Sequence, residues 1–237
     1  GLGMVAQKQR QWAQAEQHYQ HALAIKIDFN DRYAQAITYH QLGVMAQEQR
    51  QWAQAEQHYQ HALALLIEFN DRYGQAGTYH QLGRVAEEQR HWAQAEQYYQ
   101  HALAIKIEFN DRYAQASTYH QLGMVAQEQR QWMQAEQHYQ HALALKIDFN
   151  DRYAQASTYH QLGRVAEEQE QWQQAYDYYL KDLAITAEFK DEHGLEITRG
   201  SLHRLWQAHL DENVLPTLAQ ALGMTVEAAR AWITTAD

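Results

Sequence analysis

Fifteen histidines in a 237-residue chain raise the question of metal chemistry first. His18/His21, His58/His61 and His138/His141 are spaced i,i+3. On a helix that spacing points two imidazoles the same way, so both could reach one Zn²⁺ or Ni²⁺. The matching pair in another copy is broken, with Tyr98 ahead of His101, and nothing fixes a third ligand beside any pair. We therefore expect no metal site and read the pairs as an exposed polar face. Glu87-Glu88 and Glu167-Glu168 could suggest paired carboxylates, but side chains of adjacent helical residues diverge and cannot face one substrate together. The chain holds no cysteine, no Gly-rich phosphate loop, no nucleophile elbow and no HExxH. The expectation is no enzyme and no cofactor.

These residues recur with their surroundings. Trp12, Trp52, Trp92, Trp132 and Trp172 mark a period of 40, as do Phe29, Phe69, Phe109, Phe149 and Phe189. A period of this length signals stacked supersecondary units, each packing on its neighbours. The units run 1–30 (truncated), 31–70, 71–110, 111–150 and 151–190, followed by an atypical helical cap over 191–237. Leu2-Gly3 aligns with Leu42-Gly43, so the first unit lacks half a helix and a fragment of a longer protein is expected.

One proline and abundant Ala, Gln, Leu and Glu favour helix throughout. Within residues 71–90, after Asn70-Asp71 as a capping pair, Ala76, Tyr79, Leu82, Gly83 and Ala86 form a stripe at three- and four-residue steps. A second helix from Trp92 to Phe109 places Ala95, Tyr99, Ala102, Leu103 and Ile107 on one face. Small residues at Gly83, Ala95 and Ala102 let the two helices approach, with Trp92 and Tyr99 filling the volume between them. Truncating such a tryptophan is expected to cost about 3–5 kcal/mol.

The order Tyr119, Leu122, Gly123, Ala126, Trp132, Ala135, Tyr139, Ala142, Leu143 resembles the tetratricopeptide repeat (TPR). The usual TPR has 34 residues and a closing proline; here the proline is absent and six residues are added, so each helix is expected to be about a turn longer. This form is similar to the 40-residue repeats of spindle-orientation adaptors and of bacterial arrays attached to CHAT, NACHT or NB-ARC domains. The resemblance, over roughly residues 2–190, implies an all-α, right-handed TPR superhelix with a concave face lined by the first (A) helix of each pair. It further implies a protein or peptide ligand on that face. The A-helix stripe contains Tyr73, His80, Arg84, Glu87 and Glu88. Its equivalents are His40 and Gln47; Tyr113, His120, Met124 and Glu128; and Tyr153, His160, Arg164 and Glu167. The same Tyr–His alternation also suits lateral packing between neighbouring A helices. By resemblance the parent is a bacterial signalling or defence protein in the cytoplasm.

The segment Leu218–Ile233 has a helix-turn-helix look, with Ala219, Gly223, Ala229 and Trp232 at small, turn and core positions. A nucleic-acid reader needs basic groups, whereas residues 170–237 carry a formal charge of −6 against −4 for residues 1–169. A capping hairpin is the expectation, with no nucleic-acid partner. No apolar run reaches membrane-spanning length. Self-assembly through the ends of the array is the alternative to ligand binding.

Overall fold

The computed structural model describes Gly3, Val5, Gln9 and residues 11–235; Leu2 and the expected truncated first helix, like Asp237, lie outside them. Among the described residues all regular structure is helical. The chain divides into two compact units, Gly1–Asp111 and Arg112–Asp237. The first holds α1 (Trp12–Asp28), α2 (Arg32–Glu48), α3 (Trp52–Glu68), α4 (Arg72–Glu88) and α5 (Trp92–Glu108). The second opens with α6 (Arg112–Glu128), α7 (Trp132–Asp148), α8 (Arg152–Glu168) and α9 (Trp172–Glu188). It continues with α10 (Glu192–His209), a 3-10 turn (Glu212–Val214), α11 (Leu215–Leu222) and α12 (Val226–Thr234).

Helices α1 to α9 are each 17 residues long and alternate between two turn chemistries. After a B helix (α1, α3, α5, α7, α9) an Asn-Asp pair divides its labour, with Lys190 in the asparagine's place after α9. Asn70 takes the left-handed conformation at φ 52°, Asp71 N–H reaches back to Leu66 O at 2.9 Å, and the Asp71 carboxylate then caps α4 through Gly74 N–H at 2.8 Å. After an A helix the same left-handed position is held by Arg50, Arg90, Arg130 or Glu170, residues that pay a steric cost there. The B helices that follow begin on Gln51, His91, Gln131 or Gln171 without a side-chain cap.

Within each pair the helices run antiparallel and meet at a glycine. A Cβ on Gly43, Gly83 or Gly123 would lie 2.6 Å from the ring of Tyr59, Tyr99 or Tyr139, and one on Gly163 would lie 2.5 Å from Tyr179. That is the reason for Leu-Gly: the leucine is buried and the glycine admits the tyrosine. Tyr59, Tyr99, Tyr139 and Tyr179 are fully buried, whereas Trp52, Trp92, Trp132 and Trp172 are only half-buried. The expectation that tryptophan fills the space between the helices is corrected accordingly. The second helix also turns differently from its expected stripe: Ile105 is buried and Ile107 is 52% exposed.

At the end of the second unit Tyr176 stands where α7 has Glu136, and Leu180 where it has Gln140. Replacing polar surface by apolar rings gives α11 and α12 something to cover. Tyr176, Leu183, Leu202, Leu205, Leu218 and Ile233 share one core, and the Tyr176 hydroxyl donates to Val214 O at 2.6 Å. Pro216 falls in the first turn of α11, and Gly223 (φ 64°) closes it in the left-handed conformation.

Candidate functional site

On the A-helix faces, tyrosines near the helix starts are tied to the next cap. Tyr33, Tyr73 and Tyr153 donate to the Oδ2 of Asp71, Asp111 and Asp191 at 2.9, 2.8 and 3.0 Å. Their rings meet Phe69, Phe109 and Phe189 edge-on, and Tyr113 meets Phe149 in the same way. The accepting carboxylates hold the three phenols above their ordinary pKa. All four rings stay exposed; Tyr33, Tyr73 and Tyr153 are fixed at both hydroxyl and edge, and Tyr113 at its edge.

The histidines one layer deeper behave differently. His40 Nδ1 lies 3.1 Å from Thr78 Oγ1, and His120 Nδ1 3.2 Å from Thr158 Oγ1. His40, His80, His120 and His160 each lean on a buried tyrosine with ring centroids 5.3 Å apart. Burial lowers the His40 pKa. Burial, then Lys106 and Arg84, bring His80 to about 3, and burial with Lys146 brings His120 to about 3. His40, His80 and His120 are thus neutral packing groups. Tyr59, Tyr99, Tyr139 and Tyr179 find acceptors in Gln47, Glu87, Gln127 and Glu167, at 2.9, 2.7, 3.0 and 2.7 Å. The predicted stripe therefore splits in two. Tyr73, Tyr113, Tyr153, Arg84, Arg164, Glu88 and Glu128 face solvent. The histidines, Gln47, Glu87 and Glu167 hold the interior together, and Met124 packs against the core of α6, α7 and α8.

Sequence reasoning missed the lysines beneath these histidines. Lys26 donates to Ala34 O at 3.0 Å and Thr38 Oγ1 at 2.5 Å. Lys146 repeats this with Ala154 O at 3.0 Å and Thr158 Oγ1 at 2.6 Å. Lys106 lies 3.4 Å from His80 Nδ1. Burial lowers Lys106 and Lys146 to about 8. Their signal was a cation inside an apolar run, as in LAIKI. Two copies depart from it, with Leu66 and Thr186 in the lysine's place. In the last copy Asp182 supplies a charge of opposite sign one turn earlier. Its Oδ2 accepts from Thr198 Oγ1 at 2.5 Å and meets His160 Nδ1 at 3.0 Å.

Two clefts open between neighbouring A helices. One, about 280 Å³, lies between α2 and α4 and is lined by Ile37, His40, Leu66, Tyr73, Gly77 and Thr78 among others. The other, about 430 Å³, lies between α8 and α10, with Tyr153, His160, Asp182, Ile197 and Thr198 in its walls.

The B-helix histidines form the expected open face only in part: His21, His61, His101 and His141 are exposed. His58 and His138 are half-buried, and His61 and His141 pack on Tyr39 and Tyr119 at 5.1 and 5.0 Å. Among the described residues no three His, Asp or Glu side chains converge to hold a metal ion. In the tail, Arg230, the basic residue of the Leu218–Ile233 segment, forms an ion pair with Glu212. No helix among the described residues is long and apolar enough to cross a membrane.

Antiparallel helix pairs of constant length, repeated every 40 residues and joined through a glycine–tyrosine contact, define a helical-repeat protein. The tetratricopeptide repeat model matches residues 1–68, 34–108 and 114–188, and the chain belongs to that family. Solved structures of the same fold include BtubC from P. vanneervenii (TM-score 0.70, 20% identity, covering 96% of this chain and 92% of that one). The apo form of RapI is also similar (TM-score 0.78, 16% identity, 96% and 81%). A third is a signal-transduction ATPase with numerous domains and a tetratricopeptide repeat sensor from Pyrococcus horikoshii (TM-score 0.79, 13% identity), of which this chain spans 37% while being covered over 99% itself. No curated protein matches the chain. Scaffolds of this family bind protein partners and are generally non-catalytic.

Proposed function

We infer that the A-helix faces of each unit receive an extended peptide or a partner helix, held by Tyr73 and Arg84 in the first unit and by Tyr113, Tyr153 and Arg164 in the second. The observation that carries this reading is the state of the tyrosines, which are exposed yet immobilised by Asp71, Asp111, Asp191 and the edge-on phenylalanines. A rigid aromatic surface loses little entropy on binding, so contact area converts more fully into affinity. Arg84 and Arg164 are exposed and, among the described residues, hydrogen-bond only to Gln81 and Gln161, at 3.5 and 3.3 Å, so their charge is available to a ligand carboxylate. A sensor role within a larger signalling protein accords with the STAND neighbour.

The test is selection of binders from a library of acetylated, amidated dodecapeptides. Peptides retained by the wild-type chain are expected to lose binding to a variant carrying Arg84→Glu and Arg164→Glu, at unchanged melting temperature. Failure to select any peptide, or equal binding by the variant, contradicts the reading.

A further inference from the structure

The two clefts share architecture and differ in floor. Between α2 and α4 the floor is Leu66 and the lining is apolar apart from the cap, His40, Gln41 and Thr78. Between α8 and α10 the floor contains Asp182, only 3% exposed. Its Oδ2 takes both side-chain hydrogen bonds, from Thr198 and with His160, while Oδ1 has no hydrogen-bond partner among the described residues. Neither lysine nor arginine lines this cleft; its other titratable groups are Tyr153, His160, Asp191 and His193. Asp191 is already committed, to the Gly194 N–H and the Tyr153 hydroxyl, both at 3.0 Å.

A carboxylate taken out of water is costly unless a cation meets it. Where Lys146 supplies a positive charge beside Thr158 and His120, the equivalent lysine position in the last copy is Thr186, which hydrogen-bonds to the backbone of Asp182 instead. Of the side chains bonded to Asp182, only His160 can carry a positive charge, and only when protonated; the cleft has space for a permanent cation. Exposed Ile197 and the ring of Tyr153 stand at the mouth. They suit an aliphatic stem and the π-face contact of a cation.

We propose that the cleft between α8 and α10 takes the lysine or arginine side chain of a bound peptide, with Asp182 Oδ1 as its counter-charge. This rests on the reading of the A-helix faces as a peptide site and specifies where a basic residue sits in it.

The probes are N-acetyl-arginine amide and N-acetyl-lysine amide, titrated into the ¹⁵N-labelled full chain, with N-acetyl-citrulline amide as the uncharged isostere. Saturable shifts are expected at Gly194, Ile197 and Thr198 with the cationic amides and not with citrulline. Asp182→Asn is expected to weaken binding at least about tenfold, the scale of a lost buried charge partner. Ile197→Trp blocks the mouth without touching the Asp182 bonds and keeps the test valid if Asp182→Asn unfolds. An equal response to citrulline, a folded Asp182→Asn chain of unchanged affinity, or no response at all overturns the proposal. Library peptides that bind without a lysine or arginine preference, together with silent amides, would defeat the cleft proposal and leave the peptide reading standing. Cationic amides bound at Thr198 with no peptide selected would do the reverse.

Discussion

The sites around Thr158 and Thr198 are built on one frame and carry opposite charges. In the first, Lys146 donates to Thr158, whose hydroxyl also meets His120. In the second, Thr198 donates to Asp182, which also meets His160. The threonine hydroxyl makes the exchange cheap, because it can accept from an ammonium or donate to a carboxylate without moving. The charge beneath the histidine is therefore free to vary from copy to copy while the helix packing stays constant. The lysine also satisfies itself, since its second bond goes to Ala154 O. The aspartate has no such second partner at Oδ1 among the described residues, which is why the last cleft is the one proposed to take a basic side chain.

The largest effect probes the part that the two copies share. Gly123→Ala and Gly163→Ala each drive a methyl into a buried tyrosine ring, and each is expected to lower unfolding free energy by about 1–3 kcal/mol in urea titrations. Markedly unequal costs would mean that the packing frames are not equivalent. Next come the threonines. Thr158→Val strips Lys146 of an acceptor and Thr198→Val strips Asp182 of a donor, each expected to cost about 1–3 kcal/mol. A neutral Thr198→Val would break the comparison.

The pH dependence separates the histidines from the lysine by pH window, with the same sign in both. His80 and His120 have folded pKa values near 3, below the ordinary 6.5, so the unfolded chain takes up their protons first as pH falls. Their contribution is present above pH 6.5 and is lost as pH drops toward 3, with a slope of up to about 1.4 kcal/mol per pH unit for each. Lys146 sits near 8 when folded, below the unfolded value, so stability rises between pH 8 and about 10.5. Lys146→Met is expected to remove its share of that alkaline rise, leaving the share of Lys106, and to shallow the acid limb by taking away the charge that, after burial, depresses His120, as read from melting temperature against pH. The smallest effect lies in the A-to-B turns. Arg130→Gly and Glu170→Gly relieve a left-handed backbone and are expected to stabilise by about 0.5–1 kcal/mol.

Much of the frame was legible in the sequence because it repeats. The Leu-Gly step, the alanines and the Asn-Asp pair mark helix contacts and ends, and α11 and α12 follow from Pro216, Gly223 and Thr225. Tryptophan and tyrosine were weighted wrongly because size alone does not say which ring the glycine admits; the approach distance at Gly83 does. The stripe from Tyr73 to Glu88 mixed two layers, since a helical step places residues on one face without giving their depth. Lys26, Lys106 and Lys146 escaped because a lysine in a helix normally reads as solvated, and only the neighbouring A helix shows what each donates to. Asp182 gave no signal of its own, because only Thr198 and His160 beside it show what the carboxylate meets.

The central claim is that the exposed tyrosine and arginine layer of the A helices meets the partner while the layer beneath holds the fold. Hydrogen–deuterium exchange on the full chain with a library-selected dodecapeptide tests it most directly. Added protection is expected in α4, α6 and α8, around Tyr73, Tyr113 and Tyr153, with the B helices unchanged. Protection confined to α3, α5 and α7, or to α11 and α12, would contradict it.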